Sequence, residues 1–483
     1  MLSTQAALAW LVFFAAVFAI AGMAYSRRFR GNLEEYIVAR NSQGTLASIM
    51  TLLASSLGAW ILFSPAQAAT WGGLTAVIGY AIGAMSPRIA MIPLGKRMRE
   101  LMPNGHSLTE FLVARYGKPM YLLALTIMLF YLFIAMSAEI TAIAKMVTLL
   151  APVPLWATAA IVLGFTLLYT TYGGLRASIF TDKVQIVIII PLLAALVFIG
   201  WQATGGIAPV AEKLQQTAPQ LINLEDIGGI KAGLTFFVAI LLTGIFHQGN
   251  WQRIYSAKDI PTMRNGFLLG GLLVVPFIFI MGLFGLAFMA MTPDGDSSVA
   301  LFSVVMPNIP LWLAVALIPL GISLVMCSAD TAISAISSIV AVDIGRVMPR
   351  SSAASLMRLS RWLVLLVAVP VLIVAAQGYS VLYLFLLADL LCAAAAFPVF
   401  FGLFSRSHTG REAVIGTTAG LAAGLSMFPM PNQPVAHLLE SFLLAALVPV
   451  AVIVLMRLLK RRQQHFDLTT LNSGIRKLDS EQL

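Results

Sequence analysis

The strongest constraint on this chain is a succession of thirteen apolar segments, near residues 5–26, 44–70, 73–95, 119–149, 153–172, 180–201, 230–251, 266–291, 311–342, 359–377, 379–404, 412–430 and 435–456. Crossing about 30 Å of hydrocarbon takes roughly 20 helical residues, and only helices or closed barrels satisfy their backbone polar groups there. The pattern predicts an all-α polytopic membrane protein with about 13 transmembrane helices. Composition agrees, since 59% of the 483 residues are hydrophobic and only 10% are charged, far from an ordinary soluble domain. The longest outer loop, about 202–229, and the tail after 457 are too short for cores of their own. Function is therefore expected inside the membrane.

The first segment has no basic residue before it and Arg27, Arg28 and Arg30 directly after it, the reverse of a secretory signal peptide. It is expected to remain as a span, with the N-terminus outside and the C-terminus cytoplasmic. On that choice, all thirty Lys and Arg residues except Arg88, Lys145, Lys213 and Lys231 fall in cytoplasmic loops, their helix-end flanks or the tail. The net charge of +10 then implies attraction to anionic lipid and needs no nucleic acid. Cys327 and Cys392 lie inside spans, which argues against a disulfide framework.

Two spans look interrupted. One carries Ala54-Ser-Ser-Leu-Gly-Ala-Trp60 followed by Ser64-Pro65, and the other Thr243-Gly-Ile-Phe-His-Gln-Gly-Asn-Trp251. Unwound backbone at membrane depth is tolerated only against protein or a cavity. Five spans separate the interruptions, so the two five-span units enter the membrane from opposite sides as an inverted repeat. Corresponding breaks in two such halves point to a transporter binding site. Between them, Asp182 sits just inside a span. It is either a functional intramembrane acid or an interfacial residue that caps a helix or pairs with Lys183. In the segment 96–118, Ser107-Leu-Thr-Glu110 fits a capping box opening a short amphipathic helix.

Four stretches together resemble the sodium:solute symporter family over nearly the whole chain: Glu35-Tyr-Ile-Val-Ala-Arg-Asn-Ser-Gln-Gly44; Tyr172-Gly-Gly-Leu-Arg-Ala-Ser-Ile-Phe-Thr-Asp-Lys-Val-Gln185; Asn250-Trp-Gln-Arg-Ile-Tyr-Ser-Ala-Lys-Asp259; and Val325-Met-Cys-Ser-Ala-Asp-Thr331 with Ser337, Ser338 and Asp343. The resemblance implies a five-plus-five inverted repeat with broken first and sixth core helices. Its organisation would be an extra N-terminal helix and loop (1–43), two repeats (44–201 and 202–404), two added C-terminal helices (405–456) and a cytoplasmic tail (457–483). It implies cation-coupled uptake by alternating access, with sodium as coupling ion and no organic cofactor.

By position in the family, a sodium ion maps to the carbonyls of Ala54, Leu57 and Leu324 together with Cys327 and Ser328. Cys327 departs from the pattern, because a thiol is a poor ligand for a hard cation, and this leaves another coupling ion open. Asp182, Asp330 and Thr331 match a second cation position, where two converging carboxylates could instead share a proton. Substrate in such a fold lies between the breaks, beside Ser56, Gly58, Ala59, Trp60, His247, Gln248 and Asn250. None is a carboxylate. That favours a neutral polar solute, or an anion at a helix N-terminus, over a polyamine, unless Glu139 reaches the cavity. Arg88, expected to pair with an acid or polar backbone, and Asp389 are gating or coupling candidates beside Glu139.

Met102-Pro-Asn-Gly-His-Ser with Ala114-Arg-Tyr-Gly117, and Asn265-Gly-Phe-Leu-Leu-Gly-Gly271, are similar to the urea and polyamine branch of the family, which brings in proton coupling as an alternative. The histidines show no metal-ligand spacing and no His-Glu-x-x-His, so an enzyme is not expected. A sensor or receptor on a transporter scaffold is the remaining alternative; the tail of about 27 polar residues offers no signalling domain for it.

Overall fold

In hydrocarbon a peptide group has no partner but another peptide group, and the apolar runs of this chain accordingly form helices. The computed structural model describes residues 2–27, 33–348, 350–430, 436–459, 465–473 and 475. Arg28, Arg30 and most of the predicted tail lie outside the described residues. The elements are α1 (Thr4–Arg27), α2 (Leu33–Ile37), α3 (Thr45–Ala54), α4 (Ser64–Leu101), α5 (Leu108–Tyr116), α6 (Lys118–Leu150), α7 (Leu155–Ala203), α8 (Ile207–Thr217), α9 (Ile227–Gly244), α10 (Gln248–Ser256), α11 (Ile260–Met291), α12 (Ala300–Val305), α13 (Leu311–Val347), α14 (Ala353–Ala376), α15 (Val381–Phe400), α16 (Gly410–Leu425) and α17 (Leu438–Leu458).

Ten described helices are long and apolar enough to cross a membrane, where thirteen segments are expected. The difference falls in three places. The span near 44–70 is broken into α3, a 3-10 turn and the start of α4, and α4 continues into the next span through non-helical Gly72 and Gly73. The segments near 153–172 and 180–201 are merged in α7, whose 49 residues would run about 74 Å if straight. It turns at Gly174, where φ is +57° and an added Cβ would lie 2.5 Å from Tyr36; only glycine takes that backbone freely. The third place is α16, with 16 residues.

Both interruptions are present. After α3 the chain leaves the helical path at Ser56–Gly58, makes a 3-10 turn over Ala59–Leu62, and resumes with Pro65 in the first turn of α4, where its missing N–H is not needed. After α9, residues 245–247 unwind and His247 caps α10, its Nδ1 accepting from the Gly249 N–H at 3.0 Å. Lipid tails give helices no hydrophobic reason to associate, so small residues that admit close backbone approach hold the bundle together. At the α4–α9 contact a Cβ on Gly79 would lie 2.2 Å from the Gly233 carbonyl. Helix α13 is central, packing on α6 and α7, and between Gly321 and Ile339 only Ser328 is not buried. The short helix expected within 96–118 is α5, with both arms of its capping box formed.

Candidate functional site

A cavity of about 140 Å³ lies between the two interruptions. Of the residues expected beside substrate, Ser56, Trp60, His247 and Asn250 line it. Gly58, Ala59 and Gln248 do not. Gly58 packs on Glu139, whose Oε1 would be 1.9 Å from an added Cβ, and the Ala59 N–H donates to Glu139 Oε2 at 2.7 Å. Glu139 thus serves the start of the 3-10 turn and not the cavity. That half-helix end is already satisfied, which removes it as a seat for an anion. Gln248 is buried on the far side; its Nε2 donates to the His106 carbonyl at 3.0 Å and its Oε1 accepts from the Leu108 N–H at 3.1 Å.

Arg88 and Asp389 both face the cavity. Arg88 donates to the Ala84 carbonyl at 2.6 Å and to the Ser56 hydroxyl, and its buried Nε has no partner. It pairs with no acid among the described residues; of the two kinds of partner expected for it, polar backbone is the one present. Asp389 is 6% exposed, and its backbone carbonyl accepts from Thr243 at 3.2 Å. Aromatic rings complete the wall: Trp60 lies 5.8 Å from Tyr80 and 6.1 Å from Phe385, and His247 meets Tyr131 edge-on at 5.7 Å. Sequence reasoning missed Tyr80, Tyr131 and Phe385, because an aromatic in an apolar span looks like packing.

Beside the first break, the Cys327 thiol sits among three carbonyls, 3.0 Å from Ala54, 3.1 Å from Leu324 and 3.6 Å from Leu57. One S–H donates to one of them at a time. Ser328 instead turns along its own helix, donating to the Leu324 and Val325 carbonyls at 3.2 Å.

Asp182 is fully buried within α7, neither capping a helix nor bonding Lys183, whose Nζ reaches Gln43 at 3.4 Å. Its Oδ2 accepts from Thr51 at 2.5 Å and pairs with Arg253 at 3.0 Å; Oδ1 has no partner. Arg253 also donates to Thr51 and Thr331 at 3.0 Å and to the Gly249 carbonyl at 3.1 Å. This cation was missed, although it stood in the Gln252-Arg253 pair of the third matching stretch. Asp330 accepts from Tyr169 at 2.6 Å, Ser178 at 2.8 Å and Thr181 at 3.1 Å, with Thr331 Oγ1 at 3.4 Å. It has no basic partner among the described residues. Thr331 lies between Asp330 and Arg253, and Arg253 holds Asp182, so the two acids do not form a bare carboxylate pair.

At the end of the bundle that carries the 96–118 segment, His106 lies between two carboxylates, Nε2 at 2.6 Å from Glu34 and Nδ1 at 3.2 Å from Glu110. Burial would lower its pKa, but the charges and hydrogen bonds of Glu110 and Glu34 push it up to about 9. Burial raises both glutamates, and their contacts with His106, joined for Glu34 by Arg40, bring them below the usual range. Arg40 pairs with Glu34 and donates to the Pro103, Asn104 and Gly105 carbonyls. Nearby, the backbone of residues 41–43 is stitched to α10 and its exit: Asn41 N to the Tyr255 carbonyl at 3.0 Å, Gln43 N to Ser256 at 2.9 Å, and Lys258 N to Gln43 at 2.9 Å.

The model of the sodium:solute symporter family matches residues 36–420. The chain belongs to that family. Among its relatives, the symporter is 25% identical over 391 residues to the spermidine transporter DUR31 of Candida albicans, covering 79% of this chain and 72% of that one. It is 24% identical over 428 residues to the urea-proton symporter DUR3 of Oryza sativa subsp. japonica, covering 80% of this chain and 57% of the relative. In structure it is similar to a Na+-coupled sialic acid symporter in a substrate-bound outward-open state, with a TM-score of 0.75 at 17% identity over 95% of this chain and 99% of that one. The family and these relatives are transporters. The symporter is a multi-pass membrane protein whose class of activity is cation-coupled symport by alternating access.

Proposed function

We propose that the symporter uses an inward sodium gradient to accumulate a small polar solute bound in the cavity between the two helix breaks. The observation that carries this reading is that one cavity is lined from both breaks, by Ser56 and Trp60 on one side and His247 and Asn250 on the other. The carbonyls of the first break sit beside it around Cys327. Sodium would be held by the Ala54, Leu57 and Leu324 carbonyls, with Ser328 and the weak Cys327 sulfur at the edge of the set. A second cation position would draw on Asp330, Thr331 and Asp182, the last only once it parts from Arg253. Arg88 and Asp389 face the solute, and Glu139 keeps the first break open by satisfying its turn. The N-terminus is read as outside and the tail as cytoplasmic, supported by where twenty-six of the thirty Lys and Arg residues fall. The ranges 44–201 and 202–404 are read as the two repeats.

Proton coupling is the second reading. It is favoured by a thiol standing among the carbonyls and by Asp330, a fully buried acid with no basic partner among the described residues. Purified protein in liposomes separates the two: a labelled solute accumulates when sodium outside exceeds sodium inside, with pH equal on both sides. Accumulation driven only by a pH gradient favours the proton. Equilibration without any gradient, or no uptake across a solute panel, overturns the symport reading.

A further inference from the structure

The cavity between the breaks is lined by a guanidinium and a carboxyl group that form no ion pair with one another. Arg88 lines it; only a carbonyl and a hydroxyl accept from its terminal nitrogens, and its Nε is buried without a partner. Asp389 faces the same space from α15 and pairs with no basic group among the described residues. A guanidinium keeps its proton in proteins, and a charge at membrane depth without a counter-charge is unfavourable.

The solute that neutralises both must carry both signs. A bare anion placed at Arg88 would meet Asp389, and a polyamine placed at Asp389 would meet Arg88. A net-neutral molecule with a carboxylate at one end and a cation at the other meets neither conflict. The rest of the wall fits the same chemistry: Trp60, Tyr80, Tyr131 and Phe385 line the cavity, and aromatic faces attract ammonium and quaternary ammonium groups. The half-helix end at Ala59 is occupied by Glu139, so Arg88 is the group left to receive a carboxylate. The cavity's 140 Å³ calls for a compact body.

Resting on the reading of this cavity as the transport site, we propose that the symporter's solute is a compact zwitterion, its carboxylate held by Arg88 and its ammonium or quaternary ammonium group by Asp389 and the aromatic wall. Selectivity then comes from the charge pair. Neutralising Arg88 leaves a site for cations, and neutralising Asp389 leaves a site for anions.

The test titrates purified full-length protein in sodium buffer with five probes, following melting temperature and tryptophan fluorescence. The probes are L-proline and glycine betaine (zwitterions), propionate (anion), putrescine (dication) and urea (neutral). Either zwitterion is expected to saturate at a concentration at least tenfold below the other three classes. Arg88→Gln should weaken the zwitterion at least tenfold and raise the relative affinity for putrescine; Asp389→Asn should weaken it similarly and raise that for propionate. These opposite shifts in preference would not follow from a merely structural part for either residue, and if one variant does not fold the other decides. Tightest binding by propionate, putrescine or urea, binding of none of the five, or no shift in preference in the folded variant overturns the proposal. A zwitterion that binds but is not accumulated in liposomes overturns the transport reading and leaves this site standing. Gradient-driven accumulation of another solute class does the reverse.

Discussion

Arg253→Met should strand a carboxylate in the middle of the protein. The Arg253 side chain is 2% exposed and that of Asp182 is 0% exposed, 3.0 Å apart. Thr51 bridges them, 2.5 Å from the carboxylate and 3.0 Å from the guanidinium. Breaking a buried pair by removing one partner destabilises by about 3–5 kcal/mol, since the survivor keeps its desolvation and loses its counter-charge. Loss of the Thr331 and Gly249 bonds adds about 0.5–1.5 kcal/mol each. Asp182→Asn strands the guanidinium in the same way. The double variant removes both charges together and should recover at least about 2 kcal/mol relative to the sum of the single losses. The assay is a double-mutant cycle on unfolding in mixed detergent micelles, read by near-ultraviolet circular dichroism. Losses that add within about 0.5 kcal/mol would refute the reasoning, because independent sites add that closely. Sodium dependence of uptake by the stable double variant then tests Asp182 itself: if it matches the unmodified protein, the acid's business is with Arg253 and not with a coupling ion.

Three further outcomes are expected. Cys327→Ser places a hydroxyl among the Ala54, Leu57 and Leu324 carbonyls and should lower the sodium concentration for half-maximal uptake; an unchanged or higher value removes sodium from that position. Gly58→Ala brings a Cβ within 1.9 Å of Glu139 and 2.6 Å of Trp60. It should destabilise by about 1–3 kcal/mol and depress uptake, checked by melting temperature and initial rate. His106, raised to about 9 from 6.5, contributes stability that is fully present below pH 6.5 and is lost as pH rises through about 9. Melting temperature should fall over that window, and His106→Gln should flatten the fall.

Much of this was written in patterns that the sequence displays openly. Apolar length announces the spans, and the clusters Ser55-Ser-Leu-Gly58 and Thr243-Gly244 with His247-Gln-Gly249 announce the breaks, since such residues hold a membrane helix poorly. The capping box at Ser107 is legible because its partners are three residues apart. Helix number was harder: Gly174 and Gly72-Gly73 bend the backbone without ending its hydrogen bonding, and hydropathy does not record a bend. The candidate site was legible by residue type and not by direction. Gln248 and Asn250 are two residues apart on one short helix and therefore face different ways, one toward the His106 carbonyl and one toward the cavity. Arg253 was hidden because its acid lies 71 positions away, and the aromatic wall because Tyr80 and Phe385 meet Trp60 only after the chain has folded.

The stitching of residues 41–43 to residues 255–258 fixes a scale for the transport cycle. Three backbone hydrogen bonds join the approach to the first broken helix with the exit of the second, and separating those segments gives up about 1.5–4.5 kcal/mol at 0.5–1.5 each. At 1.4 kcal/mol per factor of ten, these bonds alone favour the joined over a parted arrangement of the two segments by about ten- to a thousandfold. Ligands that bind both conformations equally leave that ratio where it is. Opening this end is therefore a matter of differential affinity, and the solute and its cation must together prefer the parted state by a comparable factor before the bundle spends appreciable time in it.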